Sequence, residues 1–209
     1  MVAVESVDRI FKQFLPDLTK RFTIRKLSLA AGLSYDAAYR HVHHLISEGA
    51  LREERVGAYS SVSVNFGSSL ARKIIEGISL KRTAEFLKND VVLRKLVEEL
   101  VGELERAVPD ELVSVVLYGS YAKGLASERS DVDVLVVVST FDVRETVERV
   151  CDALGVRYGK EVAPLVTTAS ELGNMLKAEK PTVAHEVLLD GVVLWGYERY
   201  FSVVFEAVK

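Results

Sequence analysis

Apolar residues recur at helical spacing through Val7, Ile10, Phe11 and Phe14, which predicts a helix over residues 6–14. A short extended piece at Phe22 leads into a second helix ending at Gly32, a position suited to a left-handed cap. Ser34 then caps a third helix from Tyr35 to Glu48, closed by Gly49, with Ala38, Val42 and Leu45 on its inner side. Two β-prone runs, Leu51–Val56 and Ser60–Val64, flank Gly57-Ala58-Tyr59 and predict a hairpin. Helices follow over 69–88 and 90–107. The second carries one apolar stripe of Leu93, Leu96, Val97, Leu100 and Leu104, and Pro109 marks its end. Beyond it the period changes. Leu112–Tyr118 and Val132–Val138 are continuous apolar runs, the pattern of buried strands. Val143–Leu154 reads as a helix. Lys160–Thr167 reads as a third strand, with Pro164 favouring an edge or a bulge. Helices over 170–179 and 181–189 and a short strand at Val192–Trp195 precede an apolar tail. The expected architecture is α+β in three parts: residues 1–67, a helical connector over 68–89, and a strand-bearing domain over 90–209.

Composition narrows the class. The chain has 209 residues, 49% of them hydrophobic and 27% charged, with a net charge of −3, as in an ordinary globular protein. No apolar stretch is long enough to predict a membrane span, and the N-terminus lacks the pattern of a secretory signal. A single cysteine, Cys151, forms neither an internal disulfide nor a cysteine-based zinc site, so the expected setting is a reducing cytoplasm. Cys151 reads as a buried helix residue rather than a nucleophile. Amides are scarce (Gln13, Asn65, Asn89 and Asn174), a composition in keeping with a heat-loving source. Residues 1–67 hold nine Lys/Arg against seven Asp/Glu, whereas the remainder is acidic.

The slightly basic first part has the order helix, glycine turn, helix, hairpin. Its third helix reads Ser34-x-x-Ala37-Ala38-Tyr39-Arg40-His41-Val42-x-x-Leu45-x-x-x-Gly49 and resembles the recognition helix of prokaryotic winged-helix regulators. The resemblance implies that Tyr35, Tyr39, Arg40, His43 and His44 face double-stranded DNA, with Arg52 and Arg55 of the hairpin beside it. Glu53 and Glu54 offset the hairpin arginines, and a protein-docking or dimerising role stays open. His41 and His44 share a helix face, but no Cys or carboxylate completes a metal set nearby. Winged-helix modules commonly act in pairs, so a homodimer is expected.

The second part carries the richer chemistry in Leu117-Tyr-Gly-Ser-Tyr-Ala-Lys-Gly-Leu-Ala-Ser-Glu-Arg-Ser-Asp-Val-Asp133. A glycine at 119 lets the chain turn sharply off a strand and lets a phosphate come close. Ser120 falls at the start of the next helix, where N–H groups and a hydroxyl can meet phosphate oxygens. Asp131 and Asp133 lie two apart at the head of a strand, so their carboxylates share a side, and a hard divalent cation relieves their repulsion. Neither a P-loop nor a dinucleotide-binding fingerprint fits these glycines.

The segment resembles the signature of the nucleotidyltransferase superfamily related to DNA polymerase β, and most closely its small minimal members. Gly119, Ser120, Ala122, Gly124, Ser130, Asp131, Asp133 and Val136 fill the fixed positions. The resemblance implies a mixed sheet with helices on one face, and transfer of a nucleotidyl group from Mg- or Mn-bound NTP to a hydroxyl. It assigns Asp131 and Asp133 as metal ligands and catalytic residues, and places Gly119, Ser120, Lys123, Gly124 and Ser130 around the nucleotide. Active relatives usually bear a third carboxylate on the next strand. Here that place falls at Ala163 or Pro164, so Glu161, and more remotely Glu186, are the substitutes to examine, each with a solvent-facing alternative. Two classes therefore stay open: a metal-dependent nucleotidyltransferase of unknown acceptor, or a catalytically inactive nucleotide-sensing regulator or antitoxin-like binding protein.

Overall fold

The computed structural model describes residues 2–15, 17–56 and 59–208. The turn expected at Gly57-Ala58 lies outside them. The chain divides into two compact units, one running to Ile78 and one from Ser79 to Ala207.

The first unit opens with α1 (Val2–Lys12), α2 (Ile24–Ala30) and α3 (Tyr35–Ser47), followed by β1 (Leu51–Val56), β2 (Tyr59–Val64) and the beginning of α4 (Ser69–Phe86). The helix starts are capped as their hydroxyl residues dictate. Thr23 Oγ1 accepts the Lys26 N–H at 3.2 Å and Ser34 Oγ accepts the Ala37 N–H at 3.3 Å. Gly32 and Gly49 follow α2 and α3 in the left-handed region. Ala38, Val42 and Leu45 of α3 are buried, as the 3.6-residue period requires. β1 and β2 pair antiparallel, and Phe22 adds a bridge to Val62 through two backbone bonds of 3.0 and 2.7 Å. Phe11, Phe14, Phe22, Leu27 and Leu51 fill the space beneath, with Phe14 edge-on to Phe22 at 5.2 Å.

The second unit continues with α5 (Val91–Ala107), β3 (Leu112–Leu117), α6 (Gly119–Ala122), β4 (Val132–Val138), α7 (Arg144–Tyr158), β5 (Val162–Thr168), α8 (Ala169–Lys177), α9 (Val183–Asp190), β6 (Val192–Trp195) and α10 (Tyr197–Ala207). The sheet order is β5-β4-β3-β6. β4 and β5 run parallel and the other neighbours antiparallel, so the sheet is mixed, and Pro164 sits on an edge strand. The whole α5 stripe from Leu93 to Leu104 is buried against one face, with Val147, Cys151 and Leu154 of α7 and alternate residues Val132, Val134, Val136 and Val138 of β4.

The expected covering of one face only is corrected here. Leu135 and Val137 of β4 and Val116 of β3 point the other way and are equally buried. Leu172 and Leu176 of α8, Val187 of α9 and Val204 and Phe205 of α10 are buried on that second side, where α8 touches β4 and β5 and α10 touches β3. A strand apolar at both parities must be covered on both faces. The apolar tail supplies one cover as α10. Among the described residues no helix is long and apolar enough to cross a membrane.

Candidate active site

β3 delivers the chain to Tyr118, whose N–H donates to the Asp133 carbonyl at 2.9 Å, so the end of β3 and the head of β4 are locked side by side. The backbone then reverses at Gly119 with φ +67° and enters α6. The space over Gly119 is already taken by the neighbouring strand's carboxylate. A Cβ built there would stand 2.8 Å from Asp133 Cγ and closer still to Oδ2. Only glycine, lacking a Cβ and free to adopt positive φ, satisfies both demands. The structure thus brings the glycine bend and Asp133 together. Ser120, half-buried, sits in the first turn of α6, whose N–H groups have no acceptor within the helix.

The electrostatics at this point are crowded with negative charge. Partial burial, then Asp131, then Glu186 raise the Asp133 carboxyl above its ordinary range. Burial, Asp133 and Glu186 likewise raise the Tyr118 phenol. Asp131 is exposed just ahead of β4, and Glu186 reaches in from α9. The start of α9 is fixed by His185, whose Nδ1 accepts the Thr182 N–H at 3.1 Å, and its end by Arg82, which donates to the Asp190 carbonyl at 3.1 Å.

Lys123 Nζ donates to Glu186 Oε1 at 2.6 Å and lies 3.9 Å from Asp190, so this cation ties α6 to α9. Gly124 ends α6 at φ +69° with open space around its α-carbon. The Ser130 hydroxyl accepts the Ser127 N–H at 2.8 Å and so closes the loop that leads to Asp131. In the β4–β5 register Ala163 is the partner of Asp133, so the place beside it on the next strand holds a methyl group. Glu161 is exposed, its carbonyl accepts the Val132 N–H at 2.8 Å, and it borders a depression by the C-terminal end of α7. Glu186, not Glu161, is the further carboxylate whose charge bears on Asp133. Sequence order hides this, because α9 returns to the sheet end only after α7, β5 and α8. Tyr118, directly before the glycine, feels the same two carboxylates, Asp133 and Glu186.

Cys151 is buried in α7, and burial pushes its thiol up to about 12, which leaves it protonated and unreactive. In the first unit Tyr35, Tyr39, Arg40 and His44 are exposed on α3 and His43 is half-buried. Arg52 Nε is engaged by Asn65 Oδ1 at 2.7 Å, and Arg55 extends into solvent 3.9 Å from Glu53. Among the described residues no three His, Cys, Asp or Glu side chains are placed to hold a metal together.

The family described as "Nucleotidyltransferase domain" matches residues 97–188, a span containing the Gly119 bend, both aspartates and Glu186. The chain belongs to that family. One relative, "Putative protein adenylyltransferase MJ0604" of Methanocaldococcus jannaschii, is 32% identical over 101 residues, which is 48% of this chain and 96% of the relative. A second from the same organism, "Putative protein adenylyltransferase MJ1305", is 25% identical over 126 residues, or 58% of this chain and 84% of its own. A solved structure described as "Crystal structure of the toxin-antitoxin with AMP-PNP" superposes with a TM-score of 0.39 at 18% identity, over 53% of this chain and 83% of that one.

Proposed function

We propose that this protein is a metal-dependent nucleotidyltransferase that moves an adenylyl group from ATP to a hydroxyl of a protein. The observation that carries the reading is the Asp133 carboxylate lying against the Gly119 bend with Asp131 beside it. The relatives' names supply the adenylyl group and the protein acceptor. Two oxygen donors that repel one another suit Mg²⁺ or Mn²⁺, which typically takes one or two carboxylates and completes its shell with substrate phosphates and water. Asp131 and Asp133 would hold the ion, and the ion when bound offsets charge on the attacking and leaving oxygens. Gly119 and Ser120 bind and orient the β- and γ-phosphates through backbone N–H groups and the Ser120 hydroxyl. Gly124 ends that turn, and Ser130 holds the loop that aims Asp131. The acceptor oxygen forms a bond to the α-phosphorus, the bond from that phosphorus to the bridging oxygen breaks, and pyrophosphate leaves. Glu186, steadied by Lys123, takes the acceptor's proton.

The first unit fits a winged helix that binds double-stranded DNA as a dimer. α3 would present Tyr35, Tyr39, Arg40, His43 and His44, and the hairpin Arg55 with Arg52 behind it. The methyl group of Ala163 beside Asp133 favours a second reading, in which Mg·NTP is bound but not turned over and the protein is a nucleotide-sensing regulator. Incubation with α-labelled ATP, Mg²⁺ or Mn²⁺ and cell protein tests both. Label transfer abolished by Asp131→Ala is expected, whereas saturable binding without transfer would replace the enzyme by the sensor.

A further inference from the structure

The first unit contains a cleft of about 760 Å³ between α2, α3 and the β1–β2 hairpin. Its wall on α3 is a ladder of rings. Tyr35 and Tyr39 have centroids 6.1 Å apart, and Tyr39 and His43 4.2 Å apart. Tyr59, 78% exposed, stands at the hairpin side, and Leu29, 75% exposed, lines the α2 side. Exposed rings and an aliphatic side chain gathered along one cleft mark a surface suited to a ligand. Charge in the cleft is graded. The Arg55 side chain is 77% exposed and Arg25 is also exposed, whereas the Glu53 side chain is only 22% exposed and accepts a hydrogen bond from the Ser60 hydroxyl.

A ligand matching this gradient has a flat face for the rings, an amino edge for the inner carboxylate and an anion at the mouth. A duplex offers phosphates on its outside but keeps its base faces stacked away. An unpaired nucleotide offers all three. We propose that this cleft binds unpaired bases of single-stranded nucleic acid, stacked on Tyr39 and Tyr59 with phosphates on Arg25 and Arg55. The inference rests on reading the first unit as a nucleic-acid module and narrows it. Arg40 and His44 do not line the cleft and stay available to a neighbouring duplex.

The test titrates the full chain, by fluorescence anisotropy, with a short labelled oligodeoxycytidylate and with a blunt duplex of the same length. The single strand is expected to bind. Tyr39→Leu and Tyr59→Ser, both at exposed rings, should each weaken it about tenfold or more with thermal melting unchanged. Arg55→Gln should lower the salt slope of binding by roughly one. Single-strand binding indifferent to both tyrosine substitutions would overturn the inference. Binding of the duplex alone would overturn it too while leaving the winged-helix reading in place, and binding of neither probe would remove both.

Discussion

Replacing Gly119 by alanine separates two costs that the structure superimposes at one residue. The first is the backbone. An alanine at φ +67° occupies the left-handed region, worth about 1–2 kcal/mol. The second is the encounter with Asp133, whose Cγ would lie 2.8 Å from the new methyl. Both main chains are held by the Tyr118-to-Asp133 bond, so the carboxylate must turn out of its rotamer, adding about 0.5–1.5 kcal/mol. Gly124→Ala is the control, because φ there is +69° and nothing lies within 4 Å. It bears the backbone cost alone. The two variants should differ by about 1 kcal/mol, seen as roughly 3 °C in melting temperature. The functional contrast is larger. A carboxylate displaced by an ångström from its productive place can cost about a hundredfold in rate. Label transfer from α-labelled ATP, or Mn²⁺ affinity if transfer is absent, should therefore fall much further in Gly119→Ala than in Gly124→Ala. Equal melting temperatures and equal function in the two variants would refute the claim that the bend and the aspartate share one site.

Glu186→Gln should impair transfer and Mn²⁺ binding more than Glu161→Gln, a ranking read from parallel assays. Asp133→Asn should raise the melting temperature of metal-free protein at neutral pH. The folded-state carboxyl of Asp133 is raised, so the folded chain holds this proton more tightly than the unfolded chain. Wild-type stability then falls as pH rises through that interval, and the advantage of the asparagine should vanish in acid, where both forms are neutral. Leu100→Ala, at a fully buried α5 position, should cost about 2–5 kcal/mol in chemical denaturation.

What the sequence disclosed follows from how local each signal is. The helix pair of the first unit was legible because Ser34, Gly32 and Gly49 punctuate it within a few residues. The α5 stripe was legible because five apolar residues keep one period and all five are buried. The glycine–aspartate motif was legible because fixed spacing across one strand–turn–strand forces its parts together. Two features were not. Cover on both sheet faces is written into β4, whose Leu135 and Val137 are as apolar as Val134 and Val136, although the family likeness implies helices on one face. Along the chain Glu161 is the nearer carboxylate and shares parity with Ala163, whereas the charge of Glu186 bears on Asp133. The path of α9 back across the sheet end is a tertiary fact that no local pattern encodes.

That return path bears on how two aspartates could suffice. Asp133 bears the charge of Asp131 and Glu186, while Lys123 is engaged by Glu186 and Asp190. In the proposed nucleotide site, negative charge therefore stands beside a bend whose N–H groups would receive an anion. Neither feature is comfortable alone. A cation added alone leaves the N–H groups of the bend unmatched, and a triphosphate added alone meets the carboxylates with like charge. Cation and triphosphate together satisfy both, so their binding should be strongly cooperative. A surface acidic cluster without the bend would take the cation indifferently to nucleotide, and this coupling is what distinguishes a nucleotide site from it.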